Sequence, residues 1–176
     1  MANVYCNLRF RWQLLLVRRR LANIKLVVSD VDGVLSNGGL LYSPDGSVLK
    51  EFSVYDGVGV EQMQRLGIEF AIISGGTSGA VLARAKTLKI LNVITESQDK
   101  RQSLIDLQSK LSVTIEETMF VGDDLNDLVV RDRVAIFVAP RNAIKAVRRQ
   151  ADLILSRGGG ESCVRQLTDE VVKSNS

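Results

Sequence analysis

Ile24-Lys25-Leu26-Val27-Val28-Ser29-Asp30-Val31-Asp32-Gly33-Val34-Leu35 is the stretch on which the reading of the fold turns. Its first half is apolar and β-branched, the pattern of a strand buried on both faces of a parallel sheet. The run ends on two carboxylates, Asp30 and Asp32, followed by a glycine. Side chains two apart on an extended chain point the same way. Both acids can therefore face one point beyond the carboxyl end of the strand, which is where open α/β sheets bind ligands. Two like charges buried together are costly unless a cation neutralises them, and a hard ion such as Mg²⁺ suits oxygen ligands. Alone, the stretch reads equally well as an Asp-rich turn that caps the next segment.

Outward from this strand, apolar runs at 70–73, 91–95, 118–121, 134–138 and 153–155 read as five more strands. Helical patterns lie between them, opening near Asp56, after Ser78, near Gln98, near Asn142 and after the glycines Gly158-Gly159-Gly160. Such alternation predicts an α/β fold, a doubly wound parallel sheet with helices on both faces. Pro44-Asp45-Gly46 between two apolar pieces predicts a β-hairpin that projects from the sheet over residues 38–52.

The 176 residues are enough for one domain with a proper core. No apolar run approaches the roughly 20 residues of a membrane span, so no membrane partner is expected. Two cysteines, Cys6 and Cys163, make no metal-spaced or disulfide framework, which fits a reducing cytoplasm. Histidine is absent, which excludes Ser-His-Asp, Cys-His and His-ligated zinc chemistry. The net charge of +3 comes from one place: Arg9, Arg11, Arg18, Arg19 and Arg20 lie in residues 1–22 with no acid among them. Without a binding motif this basic patch does not argue for nucleic acid. It reads as an N-terminal extension, an exposed or frayed arm helical from about Arg11, ahead of a domain at 23–173 and a polar tail at 174–176.

Polar signals stand at the ends of several strands: Asp30 and Asp32, then Ser74, then Lys100 at a helix start, then Asp123 and Asp127. Each has a bland reading as a turn or cap residue or a solvated lysine. Their convergence above one sheet edge does not. Together they suit phosphoryl transfer. A carboxylate can be the nucleophile, and a second can protonate the leaving alkoxide and then deprotonate water. A metal, a lysine, a hydroxyl and backbone N–H groups can neutralise the phosphoryl oxygens.

Asp30-Val31-Asp32-Gly33-Val34, Ser74, Lys100 and Gly122-Asp123-Asp124-Leu125-Asn126-Asp127 resemble the ordered motifs of the haloacid-dehalogenase phosphatases. The resemblance implies that Asp30 is the nucleophile and Asp32 the general acid/base. It implies Mg²⁺ on the Asp30 side chain, the Asp32 carbonyl and Asp123. Ser74 and Lys100 would bind the phosphoryl group, with Asp127 orienting Lys100 and Asn126 supporting the site. Neither the gap from Asp32 to Ser74 nor that from Ser74 to Lys100 has room for a cap domain. An open site suits phosphoryl chemistry badly, so a homo-oligomer is expected, with the hairpin as a contact element.

The arrangement is similar to the capless, tetrameric 3-deoxy-D-manno-octulosonate 8-phosphate (Kdo 8-phosphate) phosphatases of lipopolysaccharide biosynthesis. Further likenesses are Phe52-Ser53-Val54-Tyr55-Asp56-Gly57-Val58-Gly59, Gln98-Asp99-Lys100 and the late Gly159-Gly160 with Val164-Arg165. In that family the residues matching Ser53, Val54, Tyr55, Asp56, Gly57, Gly76 and Arg84 are on the substrate side. Tyr55, Gly75-Gly76, Glu161 and Gln166 depart from it: the family has arginine at the first, Gly-Arg at the second, and arginine and glutamate near the last two. A nine-carbon ulosonate 9-phosphate is thus an alternative substrate, and a catalytically weak oligomeric partner protein an alternative role. The order of the motifs rejects a response-regulator receiver. The absence of Gly-x-Gly-x-x-Gly after the first strand rejects a dinucleotide fold.

Overall fold

A computed structural model describes residues 2–76 and 79–175. Six parallel strands form the sheet: β1 (Leu26–Ser29), β4 (Glu69–Ile73), β5 (Asn92–Ile94), β6 (Thr118–Val121), β7 (Ile136–Ala139) and β8 (Leu153–Ile154), in the order β5-β4-β1-β6-β7-β8. The chain winds outward from β1 to β5, returns, and winds outward again from β6 to β8. The carboxyl end of central β1 therefore lies where connections leave in opposite directions, the place where such sheets hold ligands. β2 (Leu41–Tyr42) and β3 (Val48–Leu49) make the separate antiparallel hairpin expected around Pro44-Asp45-Gly46.

β1 is buried along its whole length because its two faces feed two cores. Val27, with Phe70, Ile72, Met119 and Val138, meets α2 (Val54–Arg65), α3 (Gly79–Thr87) and α6 (Cys163–Ser174). Leu26 and Val28, with Ala71, Phe120 and Phe137, meet α4 (Lys100–Leu111), α5 (Lys145–Gln150) and the 3-10 segment Leu125–Arg133. No cap domain interrupts this layering among the described residues.

Local chemistry sets the helix ends. Ser53 caps α2, its side chain accepting from the Asp56 amide, so the helix opens at Val54 rather than Asp56. Asp99 caps α4 by accepting from the Gln102 amide at 3.0 Å, which puts Lys100 in the first turn. The helix expected from about Asn142 starts at Lys145, because the Asn142 side chain is occupied with Gly33 O and the Gly159 amide. α6 runs through to Ser174, into the expected polar tail.

The N-terminal segment differs from the exposed arm that its arginines suggest. It forms α1 (Ala2–Leu21), and Phe10, Val17 and Leu21 on one side enter the same core as α6. Gln13, also buried, accepts from the Ile154 amide at 3.0 Å, and Arg20 donates to Ala135 O at 2.8 Å. The helix is a layer of the domain. Leu21→Ala should accordingly lower unfolding free energy by roughly 2–5 kcal/mol, read from the urea midpoint. An unchanged midpoint would show that α1 is an appendage.

Candidate active site

The sequence candidates are delivered by strand ends. Asp30 leaves β1 with its amide bonded to Val121 O at 2.9 Å, fixing the chain between β1 and β6. Lys100, at the start of α4, reaches it: the buried ammonium donates to Asp30 Oδ1 at 2.8 Å and to Asp127 Oδ1 at 2.7 Å. The second Asp127 oxygen accepts from the amides of Asp123 at 2.9 Å and Asp124 at 3.2 Å. One carboxylate thus orients the lysine and folds the loop that carries Asp123. Ser74, buried at the end of β4, is held by Ile94 O and accepts from the Gly76 amide at 3.3 Å.

Burial, and then the like charge of Asp127, push the Asp30 carboxyl up to about 6 against the pull of Lys100. Burial and the charges of Asp127, Asp30 and Asp124 push Asp123 up to about 7. Burial alone would lower the Lys100 ammonium, but Asp127 and Asp30 hold it above the ordinary lysine value. One cation therefore faces a cluster that has excess negative charge once the acids ionise. Oxygens of Asp30, Asp123 and Asp127 lie within 4.8 Å of one another. Both Asp127 oxygens are engaged, by Lys100 and by two amides, so Asp30 and Asp123 are the side chains better placed to hold a hard divalent cation. A Cβ on Gly33, whose φ is +91°, would overlap the Asp123 carboxylate. That carboxylate is thereby brought against the residue following the Asp32 carbonyl. The donor set fits Mg²⁺.

Asp32 is half-buried, and Lys50 Nζ donates to both its oxygens at 2.5 Å while Ser36 Oγ donates at 3.1 Å. Lys50 comes from the foot of the hairpin, just past β3. Nothing in its sequence surroundings distinguishes it from a solvated lysine, and only the folded chain brings it to Asp32.

Of the remaining candidates, Gly76 adjoins Ser74 through its amide and Asn126 directly precedes Asp127. Val54, Tyr55, Gly76 and Asn126 are exposed. Ser53 Oγ shares a 2.8 Å hydrogen bond with Ser162 Oγ, and Arg84 donates to Ser53 O at 2.8 Å, packing over Gly57. Asp56 is buried, accepts from the Arg165 amide at 2.8 Å and is raised by burial to about 6. That inward placement ties α2 to α6. Glu161 pairs with Arg141 at 2.6 Å, and Gln166 accepts from the Ser156 and Arg157 amides at 3.1 Å, so both brace the glycine loop. Thr77 and Ser78 lie outside the described residues. Cys163 is buried, and burial pushes its thiol well above the ordinary value, which leaves it inert.

A family model described as haloacid dehalogenase-like hydrolase matches residues 84–158. The 3-deoxy-D-manno-octulosonate 8-phosphate phosphatase KdsC of Haemophilus influenzae is 32% identical over 158 residues, covering 90% of this chain and 88% of its own. The chain belongs to this phosphatase family. Within the family, KdsC of Escherichia coli K12 is 37% identical over 147 residues, covering 84% of this chain and 78% of its own. The Moraxella catarrhalis phosphatase, crystallised with magnesium, phosphate and KDO, matches with a TM-score of 0.87 at 34% identity, covering 90% of this chain and 91% of that one.

The raised carboxyls carry a consequence for stability. Between the ordinary aspartate value of 3.8 and about 6 or 7, folded Asp30 and Asp123 keep protons that the unfolded chain has lost. The native state is then destabilised as pH rises through that window. Without divalent metal the Tm contribution of this cluster should fall from about pH 4 to about pH 7, and Mg²⁺ should restore more stability above the window than below it. Mg²⁺ stabilisation that is equal at both ends would contradict the assignment of Asp30 and Asp123 as its ligands. Calorimetry across pH, with and without Mg²⁺, reads this.

Proposed function

We propose that this chain hydrolyses 3-deoxy-D-manno-octulosonate 8-phosphate to 3-deoxy-D-manno-octulosonate and phosphate, with Mg²⁺ as cofactor. The observation that carries the reading is the Lys100 ammonium bridging Asp30 and Asp127 at the end of β1, in a chain of this family.

Asp30 is the nucleophile. With Oδ1 held by Lys100, the other oxygen is left to attack phosphorus, forming an aspartyl phosphate as the bond to the sugar oxygen breaks. Asp32 gives the departing alkoxide its proton, and then takes one from the water that attacks the aspartyl phosphate. That second attack releases phosphate and regenerates the Asp30 carboxylate. Ser74 and Lys100 bind the phosphoryl oxygens, and Asn126 supports the loop beside them. Asp30, the Asp32 carbonyl and Asp123 would hold Mg²⁺, which would supply positive charge against those oxygens. Lys50 positions Asp32 through its paired contacts, and Asp32 must release one of them to carry a proton.

The sugar portion would extend toward Tyr55, Gly76 and Arg84, where two cations are fewer than the family pattern provides. The hairpin exposes Leu40, Leu41, Tyr42 and Leu49. These suit contact with other copies in a tetramer, which would shield the open site.

Phosphate release from Kdo 8-phosphate, a nine-carbon ulosonate 9-phosphate and hexose phosphates tests the reading. Kdo 8-phosphate should be turned over fastest and only with Mg²⁺. Asp30→Asn should lower kcat by roughly 10³-fold or more, and Lys50→Met by on the order of 10- to 100-fold with little change in KM. Preference for another phosphate would reassign the substrate. A folded protein inactive on all of them would overturn the phosphatase reading.

A further inference from the structure

α1 has two apolar sides, and the fold uses one of them. Phe10, Val17 and Leu21 are buried against the body, whereas Leu8, Trp12, Leu15 and Leu16 on the opposite side are exposed by 58%, 64%, 69% and 60%. Spacing of four, then three and four residues places these four on a single stripe of the helix. At 3.6 residues per turn, Arg11 and Arg18 fall along one margin of the stripe and Arg9 along the other, with Arg19 at its carboxyl-terminal end. All four are exposed, and none makes an ion pair among the described residues. Arg20, by contrast, is committed to the body through Asp152 at 3.3 Å.

An apolar stripe of this size on the surface marks a contact site, and the charge decides its occupant. α1 contains no aspartate or glutamate. A second copy laying its own α1 on the stripe would set guanidinium groups against guanidinium groups with nothing to neutralise them. An anionic bilayer surface satisfies both halves of the pattern. Leucine and tryptophan side chains enter the boundary between headgroups and acyl chains, and the flanking arginines reach phosphate oxygens. No described helix is long and apolar enough to cross a membrane, and the inner side of α1 is fastened to β8 and α6. The helix can therefore lie on a bilayer without leaving the domain.

We propose that the outer side of α1 is a docking surface for anionic lipid. It sets the catalytic domain against a membrane as a peripheral protein, in place of the free basic arm that composition alone suggests.

Trp12 is the only tryptophan in the chain and stands within the stripe, so its emission reports the site directly. Full-length protein is titrated with vesicles of phosphatidylglycerol and phosphatidylcholine in equal parts, and with vesicles of phosphatidylcholine alone. A blue shift and co-sedimentation are expected with the anionic vesicles only. Both should weaken by roughly tenfold or more in the double variant Arg11→Glu, Arg18→Glu and at high salt. Leu15→Glu with Leu16→Glu should abolish binding while leaving phosphate release and the unfolding midpoint unchanged, because both positions face solvent. Equal binding to neutral vesicles, no shift with either vesicle, or binding retained in the leucine variant would each overturn the proposal. So would a blue shift that grows with protein concentration in the absence of lipid, which would mean that a second copy covers the stripe.

Discussion

The Lys100 ammonium, 2.8 Å from Asp30 and 2.7 Å from Asp127, is the contact on which the site depends. Three carboxylates gather at one end of a buried sheet, and carboxylates do not stay ionised in such a place without compensation. Lys100 supplies part of it, and its own charge is held in place by the same acids. Such a pair is fragile to the loss of either partner, since the survivor is left charged and buried, at a cost of about 3–5 kcal/mol. It is also directional. Lys100 engages one Asp30 oxygen, which on the proposed mechanism leaves the other for reaction, and the remaining negative charge on Asp30 and Asp123 suits a divalent cation.

The surrounding backbone is shaped to permit this. Gly122 has no side chain where the Asp127 carboxylate folds back on its own loop, and Gly33 has none where Asp123 lies. Gly159, far along the chain, packs on the Gly33 carbonyl, and the Gly160 amide donates to Val34 O at 3.0 Å. Asn142 ties the two glycine segments together. Glu161 and Gln166, which differ from the family pattern, thus brace a loop that buttresses the turn after β1. The central strand's turn is held by residues more than 100 positions further along the chain.

Much of this was legible in the sequence because β1, β4 and β6 are short, apolar and followed at once by polar residues. Asp30, Ser74 and Asp123 could be placed at one sheet edge from strand alternation alone, and the structure puts them there. Contacts between distant segments were not legible. Lys50 reaches Asp32 across a hairpin, and the inward turn of Asp56 depends on the packing of α2 against α6, neither of which leaves a local periodic signal. α1 was misleading for a different reason: its apolar residues face two opposite directions, so no single amphipathic period stands out and the arginines dominate the reading. Helix starts shifted by a few residues where a side chain such as Asn142 was engaged in a long-range contact.

On the proposed mechanism the lysine-held Asp30, and no neighbouring acid, becomes phosphorylated. The most direct measurement is to quench the reaction with Kdo 8-phosphate and Mg²⁺ in its first turnover and reduce the acyl phosphate with borohydride. Mass spectrometry of the peptides then locates the product. Reduction to homoserine is expected at position 30, and absent without substrate. Reduction at position 32 or 123, or turnover with no trapped acyl phosphate under conditions that trap it in another aspartyl-phosphate enzyme, would contradict that mechanism.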